Sequence, residues 1–167
     1  GLELAASASM DPYFRFDLNF ELAHLHIEEA YLTSLSLPYN FQTRVGYFNA
    51  VFGRQNTQHL HMWTFINPSL AHTRFLAQEH FSALGLELSW LAPLPWYSMV
   101  TVQAFDTNAE TSLRSSTFAQ VNLSGSGELD GLEDFVYVAR LENFFAMGPD
   151  WSLKLGVHGA WGQSPYV

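Results

Sequence analysis

The chain has no cysteine in 167 residues. Disulfides, thiolate chemistry and cysteine-based zinc sites are excluded at once. Charge is scarce as well: Asp, Glu, Lys and Arg make up 14 %, against the ~25 % ordinary in a soluble domain. What charge there is leans acidic, with seven Lys and Arg against 16 Asp and Glu and a net charge of −9. Such a balance disfavours nucleic acid as a partner, because phosphate binding needs a basic surface. No apolar run reaches the ~18 residues that a membrane-spanning helix requires. No basic stretch followed by an apolar one opens the chain, so the pattern predicts no signal peptide. The chain starts at Gly1, which reads as a mature form or as a piece of something longer. Acyl-transfer motifs of the G-x-S-x-G kind and phosphate-cradling glycine loops before a helix are missing too. "GSG" at 125–127 stands in a polar stretch and reads as flexibility. No enzyme is expected.

Aromatic residues, by contrast, are plentiful at 16 %. Many aromatics with few charges suit a membrane β-barrel, half of whose strand positions face lipid. "DPYFRFDLNFEL", residues 11–22, shows the pattern. Phe14, Phe16, Leu18, Phe20 and Leu22 alternate with Arg15, Asp17, Asn19 and Glu21. Successive side chains of a strand point to opposite faces, so one face is apolar and the other polar. The same alternation recurs at Phe41–Tyr47, Leu84–Trp90, Val100–Ala104, Phe135–Glu142 and Ser152–Trp161. Val136 and Val138 blur the polar face of Phe135–Glu142. "IEEAYLTSLSL", 27–37, also reads as extended, with Tyr31, Thr33, Leu35 and Leu37 on one side and Glu29 on the wrong one. Residues 2–9 read as one more strand.

The connections sort themselves. Pro38-Tyr39-Asn40, 92–95 and 147–150 are short; 52–80 and the Ser/Thr/Asn/Gly-rich 107–131 are long. They alternate, as in an up-and-down barrel with short turns on one rim and long loops on the other. Aromatic residues flank each short turn: Tyr39 and Phe41, then Trp90, Trp96 and Tyr97, then Phe144, Phe145 and Trp151. They predict a girdle at a lipid–water boundary. The expected fold class is therefore all-β, an antiparallel up-and-down meander forming a transmembrane β-barrel or an open part of one, of about seven or eight strands. Residues 1–167 read as one such domain carrying 52–80 as a long inserted loop. Within that loop "AHTRFLAQEHFSAL", 71–84, reads equally as a short helix through Phe75, Leu76, Glu79 and His80 or as irregular chain. Phe52, Trp63, Phe65, Ile66, Leu70, Phe75 and Leu76 give the loop too much apolar surface to wave in water. It is expected to pack against the barrel wall or fold into the lumen, with Arg54 and Arg74 meeting inward carboxylates such as Glu87.

"IEEAYLTSLSLPYNFQTRVGYFNAVFGRQN" at 27–56 resembles outer-membrane porin-like proteins, whose hairpins carry EEAYL, LP-x-N, R-x-G-x-F and FGR-x-N in that order. "HLHMWTFINPSL" at 59–70 and "LGLELSWLAPLPWY" at 84–97 are similar to the same group. Some of its members are labelled zinc-regulated TonB-dependent outer membrane protein. The resemblance implies a β-barrel in the outer membrane of a Gram-negative bacterium. This chain departs from a whole member: it shows no signal peptide and no plug domain, and it ends in "GQSPYV". It therefore reads as a fragment of a larger barrel.

Arg15, Asp17, Glu21, Arg44, Glu87, Arg140, Glu142 and Lys154 fall on the polar side of their strands and are the expected pore-lining set; mixed charge of this kind sets ion preference in pores. His59 and His61 stand two apart, so in extended chain both imidazoles point the same way and suit one zinc ion, with His72, Glu79 and His80 available to complete it. Hydrogen-bonding histidines that shape a loop fit the same spacing, as do His24 and His26 near another loop. Otherwise no cofactor is implied. The expected function is an outer-membrane porin-like channel passing small hydrophilic solutes or ions, with the lipid bilayer as its partner. A non-conducting receptor or binding barrel is the alternative, and a soluble β-barrel or sandwich holding an apolar ligand the third.

Overall fold

The computed structural model describes residues 2–22, 25–58, 81–106 and 135–162. They form eight strands: β1 (Glu3–Ser9), β2 (Phe14–Glu21), β3 (His26–Ser34), β4 (Phe41–Asn49), β5 (Ser82–Leu91), β6 (Tyr97–Asp106), β7 (Phe135–Ala146) and β8 (Ser152–Trp161). All belong to one sheet in the order β1 to β8, each strand antiparallel to the next. This is the predicted meander, because neighbours in sequence joined by short turns are the cheapest to pair. Among the described residues β1 and β8 are paired along one edge only, so the sheet is not closed.

Local chemistry fixes the short turns. Asp11 Oδ1 accepts the backbone N–H groups of Tyr13 and Phe14 at 2.7 and 2.8 Å, folding the chain back between β1 and β2. Between β3 and β4, Pro38 opens a single 3-10 turn, and Tyr39 and Asn40 take left-handed backbone at φ 59° and 61°. Asn40 also donates its side-chain amide to the Leu91 carbonyl at 3.3 Å, linking neighbouring turns. Gly148, at φ 139°, supplies the backbone that the β7–β8 turn needs.

Pairing converts alternation into two faces. One transverse row crosses all eight strands as Ala8, Phe16, Leu32, Val45, Leu86, Ala104, Tyr137 and Trp161. It is apolar throughout. The adjacent row on the other face runs Ser9, Arg15, Thr33, Arg44, Glu87, Gln103, Val138 and Ala160. The first face is open to its surroundings: Leu86 is 55 % exposed, Val45 51 % and Val157 72 %.

The buried apolar cluster lies on the second, polar face. Phe48, Phe105, Ala83 and Val138 point to that side, and Ala50 and Phe81 join them at the end of the β4–β5 ladder. The ring of Phe105 sits 5.2 Å from those of both Phe48 and Phe81. Burial of each such ring contributes about 2–3 kcal/mol. The valines that blur the alternation of β7 are thereby explained: Val138 is part of this cluster and Val136 packs against it.

One face assignment is corrected. Glu29, Tyr31 and Thr33 lie together on the polar face, and Ala30, Leu32 and Ser34 on the apolar one. A bulge is the cause. Asn19 pairs with Glu29 but Phe20 pairs with Ile27, so Glu28 is the extra residue and the phase of β3 changes there. Period-two counting from Ile27 crosses that break and carries the wrong phase forward.

Candidate functional site

Three groups join charged side chains of the polar face, and a further carboxylate, Glu29, accepts from the Asn19 amide at 3.1 Å and from Asn49 N–H at 3.0 Å. On β2, Asp17 accepts from Arg15 Nε at 2.8 Å and from Ser7 of β1 at 2.8 Å. In the middle, Glu87 faces Arg44 across β4–β5 at 3.6 Å and accepts a 2.6 Å bond from Gln103 Nε2 of β6. The Arg44 guanidinium also lies over the Tyr31 ring, 4.6 Å from its centroid, a cation–π arrangement. On β7 and β8, Glu142 is bound by Arg140 and, at 2.8 Å, by Lys154. Glu87 and Glu142 are nearly sealed from water, at 5 % and 9 % exposure. Such burial is tolerable for carboxylates because each is met by a cation.

All eight residues of the expected pore-lining set thus share one face. Glu21 lies at the far end of β2, in register with Glu3 and His26. Arg54 is not the partner of Glu87; it is exposed, and Arg44 and Gln103 occupy that carboxylate. Arg74 lies outside the described residues.

The chain following β4 folds over this face. Ala50 N–H donates to the Phe81 carbonyl, closing the ladder at 2.8 Å. Val51 N–H donates to Gln103 Oε1 at 2.8 Å. The Phe52 ring meets His158 of β8 edge-on at 4.6 Å. Arg140 reaches the Gly53 carbonyl at 3.5 Å. Residues 51–53 therefore form a strap from β4 across to β8. Asn56 locks it: its amide donates to the carbonyls of Ala50 and Phe81 at 2.8 and 3.0 Å and accepts from Phe81 N–H at 2.6 Å. Asn56 is fully buried. Gly53, at φ 71°, gives the turn its left-handed residue.

Sequence reasoning finds the charges of this face but misses the groups that organise them. Gln103 reads only as one more polar alternate, yet it is fully buried and bonds both Glu87 and the strap. Asn56 is marked only as the last residue of the FGR-x-N motif; its role depends on Phe81, 25 positions away. Tyr31 joins the site only once the bulge is known. His59 and His61, with His24, His72, Glu79 and His80, lie outside the described residues. Among the described residues no group of three or more His, Cys, Asp or Glu side chains is placed to hold a metal ion.

At the opposite rim, the aromatics flanking the short turns come together. Phe41 stacks on Trp90, its partner in register, at 6.1 Å. Trp96 packs on Phe145 at 5.8 Å and donates its indole N–H to Asn143 at 3.2 Å. Tyr39 and Trp151 project furthest, at 83 % and 74 % exposure.

No family model matches the chain. It is 35 % identical over 164 residues to an uncharacterized protein of Aquifex aeolicus (strain VF5), an alignment covering 97 % of this chain and 34 % of that protein. The chain thus spans about a third of the length of the curated relative it matches. No solved structure matches it.

Proposed function

We propose that this chain is part of the wall of an outer-membrane porin-like β-barrel of a Gram-negative bacterium, passing small hydrophilic solutes or ions along its polar face. One observation carries the reading: the apolar face, continuous across eight strands, is the exposed one, while the buried apolar cluster lies on the charged face. A soluble sandwich does the reverse and buries its apolar face against a second sheet. Contiguous apolar surface on this scale marks a membrane or partner contact. The aromatic rim at the short turns and the long connections at the other end fit a bilayer boundary on one side and extended loops on the other. The likeness of residues 27–97 to porin-like proteins, some labelled zinc-regulated TonB-dependent, supports the same reading.

Purified full-length protein added to a planar bilayer is the test, and stepwise conductance is the expected outcome. The alternative is a non-conducting receptor or binding barrel. It is favoured by the Phe48–Phe81–Phe105 cluster and the strap, both of which occupy space on the polar face. Protein that inserts into lipid vesicles and resists extraction but passes no current would establish that alternative. Protein that stays monodisperse without detergent would refute both and leave the soluble binder. Among the described residues β1 and β8 are not paired with each other, and the Aquifex relative is about three times as long as the stretch aligned with this chain.

A further inference from the structure

We propose that the seam between β3 and β4 is built to part: it is a latched opening in this wall, held largely by side chains where the other seams are held by backbone ladders. The inference does not depend on the channel reading. It gives the polar face a route to whatever covers the apolar one.

The ladder between β3 and β4 is short. Four register pairs join the two strands, from Ala30 with Tyr47 to Thr33 with Arg44, whereas seven to ten join every other neighbouring pair. The directions of the amides shorten it further. Thr43 N–H and Asn49 N–H turn toward β3, and Ala50 N–H turns toward Phe81, just before β5. Amide direction alternates along an antiparallel strand, so Val45 and Tyr47 also donate toward β3, and Gln42, Arg44, Gly46 and Phe48 toward β5. Two hydrogen-bonded pairs therefore make up the whole ladder, Val45 with Leu32 and Tyr47 with Ala30. Beyond each end a side chain replaces the missing rung. Ser34 Oγ accepts from Thr43 N–H at 2.8 Å and from Thr43 Oγ1 at 3.1 Å. Glu29 Oε1 accepts from Asn49 N–H at 3.0 Å, and its Oε2 from the Asn19 amide at 3.1 Å.

Polar atoms at the seam are incompletely met. Thr33 Oγ1 and Arg44 Nε, on register partners, are buried with no hydrogen-bond partner among the described residues. Such atoms weaken the closed arrangement, and parting of the strands lets water reach them. Packing holds the middle. A Cβ on Gly46 would fall 2.3 Å from the Ala30 carbonyl oxygen and 2.7 Å from Tyr31 Cα, so bare backbone is what lets β3 lie this close. The Tyr31 ring then stands edge-on to Phe48 at 6.2 Å, with the Arg44 guanidinium over it. Tyr31 is the latch, and Ser34 and Glu29 are the clasps. Opening needs one ring to swing aside, two side chains to let go and two backbone pairs to break, and local opening follows the weakest segment of a structure.

Hydrogen exchange of the purified full-length protein, resolved by residue-selective 15N labelling, is the test. Strand β4 carries its own control, because its amides alternate between the two seams. In wild type the protection factors of Val45 and Tyr47 should be at least about tenfold lower than those of Arg44, Gly46 and Phe48. Tyr31→Leu removes the latch and should lower Val45 and Tyr47 further, with the β5-facing amides as in wild type. Ser34→Ala should do the same at Val45, whose own backbone bond it leaves untouched. Equal protection on the two sides of β4 in wild type, or lower protection on the β5 side, would overturn the proposal. Both sets falling together in Ser34→Ala would mean that the sheet opens as a whole, and would overturn it as well. If Tyr31→Leu fails to fold, wild type and Ser34→Ala decide by the same comparison.

Discussion

Gly85 of β5 stands directly opposite Phe105 of β6, and the ring of Phe105 lies over it: a Cβ on Gly85 would fall 2.6 Å from Phe105 Cδ1 and 2.6 Å from the Ala104 carbonyl oxygen. The missing side chain is what lets Phe105 fold down beside Phe48 and Phe81. Gly85→Ala should therefore displace the ring and cost roughly 1–3 kcal/mol. Urea unfolding of the purified full-length protein measures it. A midpoint equal to wild type would show that the Phe105 ring is not held by this contact.

Added arginine should be costly on both faces, for different reasons. Leu86 is on the exposed apolar row, and Leu86→Arg should cost roughly 2–4 kcal/mol if that row crosses the bilayer midplane. Its neighbour Glu87 is buried between Arg44 and Gln103. Glu87→Arg should also be costly, because it sets two guanidinium groups side by side with no carboxylate between them. Glu87→Gln keeps the bond geometry and should be the milder change. Bilayer-folding titrations of the three variants give the order directly. Tolerance of Leu86→Arg would argue that water, not lipid, covers that face.

Strands and faces were readable because Phe14–Glu21, Phe41–Tyr47 and Leu84–Trp90 alternate cleanly, and alternation in a meander fixes the pairing partner as well as the face. Where one extra residue enters, at Glu28, the same rule misplaces Tyr31 and Thr33. The site was half legible for a related reason. Charge on a predicted strand can be assigned a side from its own neighbours, which finds Arg44, Glu87, Arg140 and Glu142. Contacts between distant segments leave no such trace. Gln103 meeting Val51, Arg140 meeting Gly53 and Asn56 meeting Phe81 are all products of where the strap lands. Tyr39 and Trp151 were found by position alone, since flanking a short turn already places a residue at the rim.

Glu142 offers a separate check on the charged face. It accepts from both Arg140 and Lys154, but the Lys154 side chain is 60 % exposed and that of Arg140 only 18 %. The ammonium stays largely solvated, so Lys154→Ala should change stability by no more than about 1 kcal/mol, and less at high salt. Glu142→Gln leaves the more buried guanidinium of Arg140 without its carboxylate and should cost more, about 1–3 kcal/mol. A double-mutant cycle between Glu142 and Arg140 should show strong coupling, and one between Glu142 and Lys154 weak coupling. The reverse order would mean that Lys154, and not Arg140, is the principal partner of Glu142.

The Asn56 clamp makes the sharpest demand on the strap. Its side chain stands in for a strand neighbour, bonding both the N–H and the C=O of Phe81 and also the Ala50 carbonyl, all out of contact with water. Asn56→Ala removes three bonds and leaves buried backbone groups without partners, which costs roughly 1–3 kcal/mol for such a group. Asn56→Asp keeps the acceptor but loses both donated bonds and buries a charge, so it should be no better. The strands β4 and β5 keep their own ladder in either variant, and the sheet should survive. The loss should instead appear as release of the segment around Gly53. Trypsin cleaves after arginine, and Arg54 is exposed yet held in a tight turn that a protease cannot draw into extended form. In the folded full-length protein, wild type should be cut after Arg54 slowly, and Asn56→Ala at least about tenfold faster, the rate following the free energy of local opening. Equal cleavage rates would mean that Gln103, Arg140 and His158 suffice to hold the strap and that the buried amide serves only to finish the β4–β5 ladder.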